Sequence, residues 1–262
     1  MAEELQAGQL HKDSTRSRGD MSMMAEGLKR SSETMDAAKS PIFQEVLAHL
    51  GDGRTVLDIG AGVGRFTGPL AKAGCQVVAI EPSAEMLLHL RETLGQHGVS
   101  GQVQVVQSSW PLADPLQAEV ALAAFVIQFS SDFAAFAQAM ERAATRRCVL
   151  AVHVDPIMGF MKPLWELFRP HEPAPHMPDF ANIYPALIQA GIIADVRIFS
   201  ESHGPRWTDP SEAIPMMAAR LGIAEEPDAM ARLRVVLSER REEFMKPWPH
   251  RAAVISWAPR PE

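Results

Sequence analysis

Cysteine is scarce in this chain, with only two in 262 residues. Cys75 and Cys148 each lie in or beside an apolar segment typical of an inner strand, so we expect two buried thiols rather than a disulfide. No uninterrupted apolar run approaches the roughly 18 residues of a membrane span. The acidic start, residues 1–4, lacks the basic and then apolar layout of a signal peptide. We therefore expect a cytoplasmic protein with no membrane partner.

Positive charge is also in deficit, because 25 Lys and Arg residues face 32 Asp and Glu residues, for a net charge of -7. Proteins that hold a long polyanion normally neutralise its phosphates with a basic patch. The nearest such stretch, Arg146-Arg147, is typical of a solvated loop before a strand. We therefore expect no nucleic-acid partner. The nine histidines show no metal-ligand spacing, so no metal site is expected either.

The most informative stretch runs from Val56 to Phe66. An apolar run ends in an acid, glycines follow at alternate positions, and an amphipathic segment comes next. This order predicts a buried parallel strand, a tight turn and a helix that packs back onto the sheet. Glycine lets a ligand approach the backbone closely, and the free N–H groups that open a helix favour a carboxylate or phosphate. The pattern predicts a turn that binds a nucleotide-type cofactor.

The glycine spacing selects among cofactors. A dinucleotide turn needs a small residue three positions after its second glycine, and here that position is Arg65. A phosphate-binding loop would need Gly-Lys-Ser/Thr, which does not follow. The motif Asp58-x-Gly60-x-Gly62-x-Gly64 resembles the first motif of class I (Rossmann-like) S-adenosylmethionine (SAM)-dependent methyltransferases. The alternative is a glycine-rich turn that binds nothing.

A second apolar strand, residues 75–80, ends in Glu81 about 20 residues past the first. A carboxylate at that place can accept both ribose hydroxyls of an adenosine. The run Glu81-Pro82-Ser83-x-x-Met86 also resembles the methyltransferase family. The alternative is an ordinary solvated acid at a strand end.

The sequence departs from the family after the third strand, residues 103–106. The family often has an aspartate where Ser109 stands, which accepts a hydrogen bond from the adenine amino group; serine accepts more weakly. Trp110 either lies against the adenine face or is a partly buried core residue. The resemblance implies SAM as cofactor, S-adenosylhomocysteine (SAH) as product, and these cofactor-binding residues: Asp58, Gly60, Ala61, Gly62, Gly64, Glu81, Pro82, Met86, Ser109, Trp110 and Phe125.

Strands and helices alternate along the chain, which predicts an α/β fold: a doubly wound, mostly parallel seven-stranded sheet with helices on both faces. Helical insertions are expected to add a cap. The predicted divisions are a flexible N-terminal segment and leading helix (1–39), a SAM-binding core (40–155), an insertion or lid (156–178), the continued core (179–207), a helical insertion (208–248) and a closing strand (249–262). We expect the segment that starts at Ser40-Pro41 to cover one end of the cofactor cleft.

The two insertions carry large apolar side chains, and the first leaves the edge of the sheet where ligands bind. We expect them to wall an acceptor pocket that includes Trp165, Phe168 and His171. The alternative is a satellite core with no ligand.

Methyl transfer from a sulfonium requires alignment of the acceptor more than a universal catalytic residue. His153 and Asp155, at the end of the fifth strand, are candidate bases for a hydroxyl or amine; the alternative is a structural histidine. We expect a SAM-dependent methyltransferase acting on a small-molecule acceptor by in-line transfer. The alternatives are a protein or RNA methyltransferase and a SAM-binding protein without turnover.

Overall fold

A computed structural model describes residues 25, 27–29, 37–114, 116–157, 159–202, 209–244 and 249–260. It has one seven-stranded sheet in the order β3-β2-β1-β4-β5-β7-β6. The strands are β1 (Thr55–Ile59), β2 (Gln76–Ile80), β3 (Val103–Val106), β4 (Ala118–Ala124), β5 (Ala144–His153), β6 (Asp195–Ser202) and β7 (Pro249–Trp257).

The first five strands are parallel, and β7 runs antiparallel between β5 and β6. The predicted doubly wound, mostly parallel sheet is therefore confirmed. The chain order reverses between β1 and β4, which places the ligand-binding crevice of such a sheet at the carboxyl ends of these two strands.

One strand begins earlier than the sequence analysis predicts. β5 starts at Ala144, so Arg146 and Arg147 lie within the strand and not in a solvated loop before it. The first residues of β5 are mostly exposed, and backbone pairing with β4 extends the strand there. The hydrogen bonds between strands do not require apolar side chains. A strand can therefore begin several residues before its apolar pattern does.

Nine α-helices are described: α1 (Pro41–Ala48), α2 (Thr67–Lys72), α3 (Ala84–His97), α4 (Phe133–Ala143), α5 (Lys162–Phe168), α6 (Phe180–Gln189), α7 (Pro210–Leu221), α8 (Pro227–Glu239) and α9 (Arg241–Phe244). Apolar residues of α1, α2 and α3 pack on one face of the sheet, and those of α4 and α6 on the other. Alternate residues of each inner strand supply the two cores, as the two-residue period of a strand requires.

Ser40 begins α1 as predicted, since its hydroxyl accepts the Ile42 N–H. The helix packs on β4, β5 and β7, and its Glu45 accepts a hydrogen bond from the Ser256 hydroxyl at 2.5 Å. Of the segment before α1, Ala25 is fully buried against Val63 and Met86, in the glycine turn and in α3. Coverage of the cleft by α1 stays a prediction, and most of residues 1–36 lie outside the described part.

The two insertions pack on each other. Buried residues of α5, α7, α8 and α9 form a third apolar cluster, separate from the two sheet cores. The second insertion holds three described helices, and the last two are separated at Arg240. The Arg240 side chain pairs with Glu243 and lies over the Phe244 ring. Met158 and residues 203–208 and 245–248 are outside the described residues.

Both cysteines are buried free thiols, as predicted. Burial is the main reason that the pKa of each thiol is raised. No helix among the described residues has the length and apolar content needed to span a membrane.

Candidate cofactor site

The glycine turn follows β1 and is hydrogen-bonded to the carboxyl end of β2. The Gly60 and Ala61 N–H groups both donate to the Ile80 carbonyl, at 2.8 and 3.0 Å. Gly60 has a φ of 69°, and a Cβ at this position would lie 2.5 Å from Cγ2 of Val126. Any larger residue at Gly60 would therefore push the turn away from the segment that follows β4.

Open space lies beside Gly62. Its φ is 55°, and the nearest atom to a Cβ there would be the Gly60 carbonyl oxygen, 4.0 Å away. The Gly62 N–H donates to Oε2 of Glu81 at 2.9 Å. A bare backbone with free space in front of it, at a strand-to-helix turn, is the cradle that a nucleotide-type ligand needs.

At Gly64, close packing requires a glycine. Its φ is 87°, and a Cβ there would lie 2.6 Å from Cδ1 of Leu90 in α3. The neighbouring Val63 carbonyl accepts the Thr93 hydroxyl at 2.9 Å. The glycine thus lets α3 approach the turn closely, and its predicted contact with a cofactor stays a prediction.

Glu81 lies directly after β2, beside Gly62. Only 7% of the residue is exposed, and Oε1 accepts the Ser83 N–H at 2.9 Å. Burial raises the pKa of this carboxyl, and the N–H groups of Ser83 and Gly62 oppose the shift. Backbone N–H groups, and not water, hold the Glu81 carboxylate in place. Bound ribose hydroxyls would replace these N–H groups as hydrogen-bond donors to the carboxylate.

Asp58, the acid that ends the first motif strand, is 3% exposed. Its Oδ2 accepts the Thr67 hydroxyl at 2.5 Å. Burial raises the pKa of Asp58 to about 6; the Thr67 hydrogen bond lowers it, and the nearby charge of Glu81 raises it. Asp58 therefore anchors the first residue of α2 beneath the turn.

Three further residues that the resemblance assigns to the cofactor lie around this turn. Ala61 is buried in the first core, Pro82 is exposed at the rim, and Met86 is buried against Val63. Their contacts with a cofactor stay predictions.

Trp110 is partly buried on the second core. Its indole N–H donates to the Phe136 carbonyl at 3.3 Å, and the two rings meet edge to face with centroids 6.3 Å apart. These are contacts of a core tryptophan, the alternative to adenine stacking. Ser109 is exposed beside it. An adenine role for either residue stays a prediction.

Phe125 follows β4 in a strained conformation, with a φ of 59°. Its carbonyl accepts Nε2 of Gln128 at 2.7 Å. The ring stacks on His153, with centroids 4.5 Å apart and planes at 22°. The guanidinium carbon of Arg65, from the glycine turn, lies 5.4 Å from the Phe125 centroid. Phe125 thus connects the turn with the end of β5.

The two candidate bases are held by different partners on β7. Nδ1 of His153 is in hydrogen-bond contact with Nε2 of His250. Asp155 accepts both the backbone N–H of Arg251, at 2.8 Å, and its guanidinium, at 2.5 Å. The Arg251 hydrogen bond holds the pKa of Asp155 below its usual range. Asp155 is therefore a poorer proton acceptor than an unpaired carboxylate would be.

The acceptor-pocket candidates lie in the first insertion. Trp165 and Phe168 pack against the third cluster, the Trp165 N–H donates to the Glu172 carbonyl at 3.0 Å, and Arg232 lies over the Phe168 ring. His171 is exposed. These contacts fit the satellite-core alternative, and a role in acceptor binding stays a prediction.

His250 is the residue that sequence analysis missed. It lies within the predicted closing strand, and it meets His153 through strand pairing across 97 residues. The sequence gives no local indication of this pairing, because the pairing depends on the antiparallel place of β7 beside β5.

Residues 56–149 match the sequence model of a family described as "Methyltransferase domain". A curated relative, the uncharacterized protein Rv1405c of Mycobacterium tuberculosis, is 29% identical over 157 residues, which are 60% of this chain and 54% of that protein. The chain thus spans about half the length of the curated relatives it matches.

Solved structures share the fold. A SAM-dependent methyltransferase from Geobacter sulfurreducens in complex with SAH has a TM-score of 0.52 at 16% identity, over 90% of this chain and 98% of that one. Magnesium protoporphyrin IX methyltransferase from Synechocystis, with bound SAH, has a TM-score of 0.50 at 13% identity, over 88% of this chain and 83% of that one.

Proposed function

We propose that this chain is a class I SAM-dependent methyltransferase that transfers the methyl group of SAM to a small-molecule acceptor, since residues 56–149 match the model of a family described as a methyltransferase domain. The cradle formed by Gly62 and Glu81 is the observation that carries this proposal. A Cβ at Gly62 would meet no atom nearer than 4.0 Å, and the buried carboxylate of Glu81 accepts the Gly62 N–H. Both lie where the strand order of the sheet reverses.

The residues present fit SAM. The carboxylate of Glu81 is the group to accept the ribose hydroxyls, and the open backbone at Gly62 admits the rest of the nucleoside. When bound, SAM supplies a methyl carbon already activated by the sulfonium charge. The protein then has to align the acceptor and exclude water, and Phe125 with His153 provides a wall for that purpose at the same edge.

Two observations favour a small acceptor. The net charge of -7 disfavours a nucleic acid, and a protein of the same fold, the Synechocystis enzyme, is named for a small-molecule substrate. We infer that the third cluster closes the acceptor side, with Trp165, Phe168 and His171 lining the pocket.

Calorimetry with SAM, SAH and NAD tests the cofactor, and a screen with catechol, benzylamine and thiophenol tests the acceptor. Transfer to one of these three probes, detected as a 14-dalton mass gain (one added CH₂ by composition), supports the proposal. SAH binding with transfer only to added bulk protein or RNA would favour a macromolecular methyltransferase. SAH binding with no transfer at all would indicate a SAM-binding protein without turnover.

A further inference from the structure

Two histidine rings meet at the carboxyl edge of the sheet. His153 ends β5, and His250 lies at the start of the antiparallel β7 beside it. The rings meet edge to face, with centroids 4.5 Å apart and planes at 65°. Nδ1 of His153 faces Nε2 of His250 at hydrogen-bond contact. The two side chains therefore form one hydrogen-bonded pair.

The pair belongs to the wall of the proposed active site. His153 stacks on Phe125, and Phe125 lies against Arg65 of the glycine turn. The residue after Phe125, Val126, is the one that a Cβ at Gly60 would strike. The strained φ of Phe125 places its ring between the turn and His153, an arrangement that fixes the plane of the imidazole.

Two facing imidazole nitrogens share one proton, so one ring donates and the other accepts. If His153 donates from Nδ1, its Nε2 carries the lone pair and can take a proton. His250 is only 6% exposed, whereas His153 is partly exposed. His153 is therefore the ring of the pair that an acceptor can reach.

Charged residues of several elements lie near the pair. Asp155, after β5, lies near His250 and is neutralised by Arg251 of β7. Arg65, from the glycine turn, lies on the Phe125 ring. In the strand register, Glu201 of β6 stands opposite His250.

We propose that His250 is a positioning residue that accepts the Nδ1–H of His153 and thereby keeps Nε2 of His153 as the base for the methyl acceptor. This inference rests on the proposed function. The acceptor's hydroxyl, amine or thiol proton passes to Nε2 of His153. The electron pair left on the acceptor atom forms the new bond to the methyl carbon, the carbon–sulfur pair stays on sulfur, and SAH is released.

Ring-nitrogen NMR of the ¹⁵N-histidine-labelled full chain, with and without SAH, tests the pairing directly. We expect His153 in the Nδ1–H form in the parent and in the Nε2–H form, which an isolated imidazole prefers, in His250→Leu. His250→Gln should keep the Nδ1–H form, because its amide oxygen can accept the same hydrogen bond. A His153→Gln spectrum identifies the resonances.

Kinetics give the second readout, with whichever of catechol, benzylamine or thiophenol is methylated. His250→Leu should lower kcat at least tenfold, a modest share of the roughly 10²–10⁴-fold contribution of a general base. The same variant should leave the SAH Kd within twofold. His250→Gln should recover most of the rate but change its pH profile between roughly pH 5 and 8.

The inference is overturned if His153 in the parent carries its proton on Nε2, or if His250→Leu leaves the tautomer of His153 unchanged. Equal pH profiles for the parent and His250→Gln would also overturn it. Failure of SAH to bind would instead remove the proposed function, while the spectrum of the ligand-free chain still tests the pair. Assignment of the parent spectrum uses only His153→Gln, so misfolding of His250→Leu does not prevent the test.

Discussion

Glycine is needed at Gly60, Gly62 and Gly64 for two different reasons. At Gly60 and Gly64 a Cβ would strike Val126 or Leu90, so these positions serve packing. At Gly62 the space is open, so the constraint there comes from a left-handed backbone and from the ligand expected in front of it.

Gly62→Val should abolish SAH binding with only a modest loss of stability. The branched side chain fills the cradle, and a left-handed residue with a Cβ costs about 1–2 kcal/mol. Gly98→Val is the matched control, because Gly98 has a φ of 68° and open space at the far end of α3. Calorimetry should show binding in the control alone; SAH binding by Gly62→Val would contradict the cradle.

Glu81→Ala should weaken SAH binding by about 1–3 kcal/mol, the range for hydrogen bonds to a charged group. Glu119 offers a matched control, since its carboxylate also accepts loop N–H groups, from Gly51 and Gly53, but before the amino end of β1. Glu119→Ala should lower Tm and leave the SAH Kd unchanged. Equal affinities of Glu81→Ala and the parent would rule out the ribose role.

Asp58 should make the fold less stable as pH rises. Its pKa is raised from the ordinary 3.8 to about 6, so the native state holds a proton that the unfolded chain has released between these values. The neutral Asp58 carboxyl contributes on the order of 3 kcal/mol to the unfolding free energy. This contribution is complete below about pH 4 and is lost by about pH 6.

Asp58→Asn keeps an acceptor for the Thr67 hydroxyl but cannot ionise. Denaturant unfolding should show the variant level with the parent near pH 4 and more stable near pH 7. Asp155→Asn should show the opposite sign, because Arg251 lowers the pKa of Asp155. A difference between Asp58→Asn and the parent that does not change with pH would contradict the buried neutral carboxyl.

Among the elements, the helices of the two insertions depend least on packing against the sheet. Their helices α5, α7, α8 and α9 bury apolar residues in a cluster of their own. That cluster can be a satellite core, or its outer residues can also face an acceptor.

The variant Trp165→Ala distinguishes a satellite core from a cluster that also faces the acceptor. We expect methyl transfer to the probe acceptor to fall at least tenfold while the SAH Kd stays within twofold. Val235→Ala is the control, because Val235 lies on α8 with 54% exposure. If steady-state kinetics of the two variants agree, the third cluster is a satellite core only.

At the scale of the whole molecule, ligand binding should stabilise the fold by mass action. SAH at 100 times its Kd should add about 2.7 kcal/mol to the unfolding free energy. For a chain of this size that raises Tm by roughly 5–10 °C. A thermal scan should show this rise with SAM and SAH and none with NAD. A rise with NAD alone would contradict the methyltransferase cofactor.

The sequence alone determined the elements that depend on local pattern. The strand, glycine turn and helix around Gly62, the acid at Glu81 and the cap at Ser40 all follow from residues a few positions apart. The two-residue and 3.6-residue periods then define which faces are buried. Hence the fold class and the glycine turn could be predicted.

Only the tertiary structure decided what depends on strand order. The place of β7 between β5 and β6 brings His250 to His153 and Arg251 to Asp155, and the same pairing makes one candidate base an ion-paired carboxylate. The mutual packing of the insertions is likewise set by contacts between distant segments. Such contacts depend on surfaces that exist only after the sheet has formed, so no local period of the sequence encodes them.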